Sequence, residues 1–159
     1  MSAGARRSAA LFWRAVVAFL ALPGIVGFIV PAYLAFSRPV PPALQPLGLV
    51  PLVAGTLLLL WCVREFHVQG KGTLAPWSPP RHLVVSGPYR RSRNPMYVGV
   101  GLILLGWSAT FPTGTLLIYA LAVIVAFHLR VLFGEEPWLA RTHGAEWERY
   151  RAAVPRWLW

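Results

Sequence analysis

From Asn94 to Leu129 the chain runs 36 residues without a formal charge. A chain of 159 residues leaves too much of its surface exposed to hide such a run in water. Crossing a hydrocarbon core takes ~20 apolar residues. Phe111-Pro112-Thr113-Gly114 supplies a turn part-way along the run, so it reads as a hairpin of two spans, about 96–111 and 114–133. Two more charge-free stretches precede it, Ala15 to Phe36 and Pro46 to Val63. They complete a set of about four spans, with the first two at about 11–36 and 46–63. Pro23, Gly24 and Pro31 lie inside the first, which a membrane tolerates where neighbours satisfy the freed carbonyls. A cleaved signal peptide is the rival reading of that stretch. Arg14 interrupts its apolar start, however, and no small-x-small cleavage site follows clearly. Composition agrees with a membrane protein. Hydrophobic residues make up 57% and charged residues 13%, against ~45–50% and ~25% in soluble domains.

The chain holds 15 Lys and Arg against 5 Glu and no Asp, for a net charge of +10. With four spans, 14 cations fall on one side and only Arg38 on the other. The positive-inside rule then predicts that both termini, a loop over 64–95 and a tail over 134–159 are cytoplasmic. Topology accounts for the basic character, so no nucleic-acid partner is implied. Lys71 is the only lysine, a hint of a GC-rich bacterial genome. The chain therefore reads as a single all-α membrane-embedded domain over 1–159, multi-pass in the cell (inner) membrane with the bilayer as its partner.

Both unusual polar regions share the cytoplasmic side. In the tail, Trp147, Tyr150 and Val154 form one apolar stripe at helical spacing. The stripe suits either the headgroup level or packing on the protein's own loop. The loop holds GKGTLAPWSPP, then a turn rich in proline, tyrosine and arginine from Gly87 to Tyr97. Loops this long inside a compact chain are more often functional than idle.

The four histidines are scattered and Cys62 is the only cysteine, so no metal site is expected. Without Asp there is no Ser-His-Asp triad. Gly99-Val100-Gly101 is a bare G-x-G whose simplest reading is helix packing. Glu135-Glu136 follow the last span. They are either solvated helix-start carboxylates before Pro137 or carboxylates facing a cationic ligand. Arg130 is either a snorkelling arginine or an anchor for an anionic group.

Three motifs carry a resemblance. They are G-P-Y-R-x-x-R-N-P-M-Y-x-G at Gly87 to Gly99, E-E-x-x-L at Glu135 to Leu139, and G-x-x-x-x-x-Y-x-x-x-V-P-R-W at Gly144 to Trp157. Together they resemble the isoprenylcysteine carboxyl methyltransferase and phospholipid methyltransferase superfamily, over roughly Gly70 to Trp157. The resemblance implies a multi-pass S-adenosylmethionine-dependent methyltransferase with no metal. It implies a cytosolic cofactor pocket built from the loop, the hairpin and an interfacial C-terminal helix. Carried over, Arg81, His82, Leu83, Val84, Tyr89, Asn94, Pro95, Met96 and Tyr97 would line the cofactor, and Glu135 or Glu136 would hold it from the far side. Gly99, Gly101, Glu135 and Glu136 stand where the phospholipid branch has its G-x-G and E-E. Arg130 would bind substrate, as an arginine before the acids does in the isoprenylcysteine branch. The methyl acceptor would be a lipophilic or small membrane-accessible molecule bearing a carboxylate, amine or thiol. The competing expectation is a non-catalytic multi-pass protein, a transporter or assembly factor. A transporter typically buries ionisable groups at mid-membrane, and the first three apolar stretches contain none.

Overall fold

Proline and glycine shape the helices that position the site. The computed structural model describes residues 20–37, 43–68 and 83–158. Arg81, His82, GKGTLAPWSPP, Arg38 and the N-terminal arginines lie outside the described residues. A π-helical stretch, Leu20–Ile29, contains Pro23 and leads into α1, Val30–Phe36. A 3₁₀ turn, Pro46–Gly48, opens α2, Leu49–Val68. A second 3₁₀ turn, Gly87–Arg90, precedes α3, Pro95–Thr110. The hairpin then closes. Thr113 accepts a hydrogen bond from the Leu116 amide at 3.4 Å and caps α4, Gly114–Arg130.

The helix does not end where the sequence predicts the fourth span to end. A π turn, Val131–Glu135, joins α4 directly to α5, Glu136–His143. Pro137 supplies the reason. It has no N–H to donate and its ring crowds the carbonyl four residues back, at Phe133, so the regular ladder cannot continue there. The Glu136 amide instead reaches the Val131 carbonyl. Gly144, at φ 49° and ψ −120°, then turns the chain into α6, Ala145–Ala153. Only glycine adopts that backbone readily.

α2 and α3 run antiparallel at backbone contact. A methyl group at Gly55 would lie 2.5 Å from the Gly99 carbonyl oxygen, and one at Gly106 would lie 2.5 Å from the Leu52 amide nitrogen. Gly48 meets the Thr110 backbone in the same way. Gly48 and Gly55, like Gly99 and Gly106, are seven residues apart, so each pair lies along one face of its helix. This is the small-residue packing of membrane helices. Leu59, Val100, Ile103, Leu104 and Ala120 form the central core beside this seam. The Tyr119 hydroxyl donates to the Val26 carbonyl at 3.0 Å and ties α4 to the first helix. At the far end Phe36, Trp107 and Phe111 cluster, with the Phe36 and Phe111 rings 5.1 Å apart.

The outward faces are apolar. Val50, Val53, Leu57 and Leu60 on α2, and Ile118, Leu121, Val125 and Leu129 on α4, are all exposed. Helices of this length and composition can cross a bilayer, and an apolar belt of this extent marks a lipid-facing surface. The protein is an all-α membrane protein. Near the polar end, the stripe of Trp147, Tyr150 and Val154 is buried against Leu83, Leu139 and Ala140. It packs on the protein's own loop, not on the headgroups.

Candidate functional site

Near the end of α2, Glu65 is buried, and its Oε2 accepts from the Ser86 hydroxyl at 2.7 Å. Gly87 sits against it at φ 55°, where a side chain would be both strained and 2.9 Å from Glu65 Cγ. This contact fixes the turn that leads to α3. Tyr89 is buried with Cys62 and Val84, and its carbonyl accepts from the Tyr150 hydroxyl at 2.7 Å. Burial raises both phenols above their ordinary pKa, so Tyr150 stays protonated and can donate.

Next along the chain, the loop and the C-terminal segment are strapped together. The Arg93 amide donates to the Pro155 carbonyl at 2.9 Å. The Arg156 carbonyl accepts from the Ser92 hydroxyl at 3.3 Å and from the Asn94 side-chain amide at 3.1 Å. The Arg156 side chain points the other way. Its Nε and Nη2 donate to the two oxygens of Glu136, each at 2.9 Å, while Arg93 Nη1 donates to Glu136 Oε1 at 2.8 Å. The Arg93 guanidinium also lies 5.4 Å from the centre of the Trp147 ring. Burial pulls the Arg93 pKa down, and the Glu136 charge partly opposes this. The Glu136 bonds raise that of Arg156.

Glu135 is oriented differently. In a regular α-helix of 3.6 residues per turn, Arg130 and Glu135 would lie roughly 140° apart. The π turn between them brings residues five apart into line. Arg130 Nε donates to Glu135 Oε1 at 2.9 Å, and the Tyr97 hydroxyl donates to the same oxygen. Oε2 takes neither bond. The Tyr97 ring packs 4.6 Å from that of Phe127. The cluster lies where α3 begins and α4 ends, between the apolar belt and the polar end. Glu135 is 34% and Arg130 55% exposed at the side chain. A ligand could therefore reach this carboxylate.

These placements sort the residues predicted from sequence. Tyr97, Arg130 and Glu135 come together. Asn94 lies close by, but its amide is engaged with the C-terminal segment. Both oxygens of Glu136 are taken by arginines, and it ties the tail to the loop. Nor does it form the weak exposed pairs expected of acids amid surface arginines, since its side chain is 13% and that of Arg93 9% exposed. Val84, Tyr89 and Pro95 are buried, and Leu83 and Met96 pack against buried clusters. Gly99 is accounted for by its contact with α2, and Gly101 faces Ile124 of α4.

A family model for phospholipid methyltransferases matches residues 44–146, well over half of the chain. The chain belongs to the phospholipid methyltransferase family. Among curated proteins and solved structures no match is found. The family segment runs from the start of α2 to the start of α6, so it holds Glu65, Arg93, Tyr97, Arg130, Glu135 and Glu136. It stops short of Trp147 and the Arg156 strap. Membership in this family of methyltransferases turns attention to Glu135, which among the partly buried carboxylates of the described residues keeps an oxygen to spare.

Sequence reasoning missed Glu65. Its signal is scarcity: with 5 acids in the chain, each one near a membrane end needs a partner. Arg156 was likewise visible only as part of a motif.

Proposed function

We propose that the protein transfers a methyl group from S-adenosylmethionine to a lipophilic or small membrane-accessible acceptor at the cytosolic membrane face. The observation that carries this reading is the Tyr97–Glu135–Arg130 cluster beside the apolar belt, in a chain of the phospholipid methyltransferase family. The donor set fits the cofactor. A carboxylate with a spare oxygen suits an ammonium group, and an aromatic face suits a sulfonium cation.

S-adenosylmethionine, when bound, supplies an electrophilic methyl group on sulfur. The chain's own residues supply position. Glu135 Oε2 would hold the cofactor's ammonium, while Tyr97 and Arg130 hold Oε1 and prevent the carboxylate from turning. The exposed Arg130 guanidinium offers its remaining N–H groups to an anionic acceptor. Methyl transfer needs donor and acceptor in line, and alignment of this kind can contribute several kcal/mol to the rate. The neighbouring apolar surface gives a lipophilic acceptor its route to the site. The 14 to 1 distribution of cations supports a multi-pass arrangement in the cell (inner) membrane with both termini cytoplasmic. Reporter fusions at Ser2 and Trp159 that read out on opposite sides would refute that orientation.

The test of activity has two parts. S-adenosylmethionine is titrated calorimetrically into the detergent-purified protein. Transfer of a radiolabelled methyl group is then screened against lipid extracts, phosphatidylethanolamine and small thiols. Saturable binding and label in one acceptor class are expected. Absence of binding in the folded protein would overturn the reading.

A further inference from the structure

The Tyr97–Glu135 hydrogen bond joins two different stretches of chain, and one residue outside the family-matched segment grips both. Asn94, three residues before Tyr97, donates to the Arg156 carbonyl, as does Ser92. Glu136, next to Glu135, accepts two bonds from the Arg156 guanidinium. On either side of Arg156 the same strap is fastened again. Pro155 accepts from the Arg93 amide, and the Trp157 ring stacks 5.8 Å from His128 on α4, at an interplanar angle of 28°. The start of α3 and the π turn thus meet across Arg156.

We propose that Arg156 is a positioning residue, which sets the separation of Tyr97 and Glu135 by clamping the start of α3 with its carbonyl and the start of α5 with its guanidinium. The role rests on the reading of Glu135 as a cofactor ligand. It follows from geometry. A π turn breaks the regular i→i−4 ladder of an α-helix and is a rare, single-turn conformation, so Val131–Glu135 needs outside support to keep one conformation. Support comes from Glu136, immediately after the turn, through a planar fork that matches the carboxylate at both oxygens. The other half of the clamp uses the backbone of Arg156 and is independent of its side chain. Substituting the side chain leaves Glu136 held by Arg93 at Oε1 alone, and so loosens the π turn while leaving the hold on Asn94 in place.

Three variants test the role: Arg156→Gln, Arg156→Lys and Arg156→Gln with Glu135→Gln. Hydrogen exchange is measured on ligand-free protein in detergent. The amides of Leu132 to Glu136 should exchange at least about tenfold faster in Arg156→Gln, with those of Leu102 to Ala109 unchanged. Affinity for S-adenosylmethionine should fall roughly tenfold in Arg156→Gln. It should fall less in Arg156→Lys, which keeps the charge but not the fork. The double variant should bind no more weakly than Glu135→Gln alone, because a residue acting through Glu135 has nothing left to position once that charge is gone. Unchanged exchange, or a uniform rise along the chain, overturns the proposal. So does a local rise without loss of affinity, or additive losses in the double variant. If the parent protein itself fails to bind S-adenosylmethionine, the functional reading falls, and the exchange measurement still decides whether Arg156 holds the π turn.

Discussion

Along the α2–α3 seam, Gly48, Gly55, Gly99 and Gly106 hold two helices together by having no side chains, whereas at the polar end Glu136 draws Arg93 and Arg156 onto itself. The seam is steric. Two backbones touch, and the glycines there bring no side chain that could do chemistry. The polar end is electrostatic. Its partly buried charges must be compensated, so most of its groups are committed to one another. What the difference teaches is where chemistry has room. The seam has none, and among the partly buried carboxylates described at the polar end the exception is Glu135, whose Oε1 is held by Tyr97 and Arg130 while Oε2 takes neither bond.

The contrast can be broken from either side. The largest loss is expected for Glu136→Gln, which leaves Arg93 nearly buried without its counter-charge. Removing one partner of a buried pair costs about 3–5 kcal/mol, and the low end, about 3 kcal/mol, applies because Arg156 keeps 35% of its side chain exposed. Thermal unfolding in detergent should show a clearly lowered midpoint. Next comes Gly55→Ala. Its methyl group would sit 2.5 Å from a carbonyl oxygen that belongs to the facing backbone, so the helices must part, at a cost of about 1–3 kcal/mol. The same unfolding assay checks it, and an unchanged midpoint would mean that the seam is looser than described. Tyr97→Phe removes a hydroxyl but keeps the ring over Phe127. It should reduce cofactor affinity several-fold while stability changes by about 1 kcal/mol at most, as paired calorimetry and unfolding would show. Gly134→Ala is expected to do least. Nothing lies within 4 Å of the added methyl group, so any change should stay within about 0.5 kcal/mol. A large effect there would mean that the π turn depends on glycine as well as on Pro137.

How much of this could be read from sequence depends on whether the cause is local. The hairpin is legible because Pro112, Thr113 and Gly114 punctuate it, and Thr113 indeed caps α4. The all-α membrane character follows from uncharged runs alone. The seam is only half legible, since Gly99 hints at helix packing but its partners Gly55 and Leu59 lie some forty residues away. The stripe of Trp147, Tyr150 and Val154 shows its spacing but not what it faces, because lipid and a protein loop satisfy the same pattern. The Arg130–Glu135 pair is hidden by its spacing of five, which points to different faces of an α-helix. Pro137 is the clue that the helix departs from regularity before it. Glu135 and Glu136 are equivalent as letters. They diverge because one is followed into the arginine strap and the other lines up with Arg130 across the π turn.

The central claim is that Glu135, and not its neighbour, is the cofactor's carboxylate. The direct test is a calorimetric titration of S-adenosylmethionine into the parent protein and Glu135→Gln in detergent, at two salt concentrations, with unfolding midpoints recorded alongside. A charged hydrogen bond at a partly shielded site contributes about 1.5–3 kcal/mol, so Glu135→Gln should bind roughly ten- to a hundredfold more weakly with its fold intact. Equal affinity in the two proteins, at either salt concentration, would contradict the account.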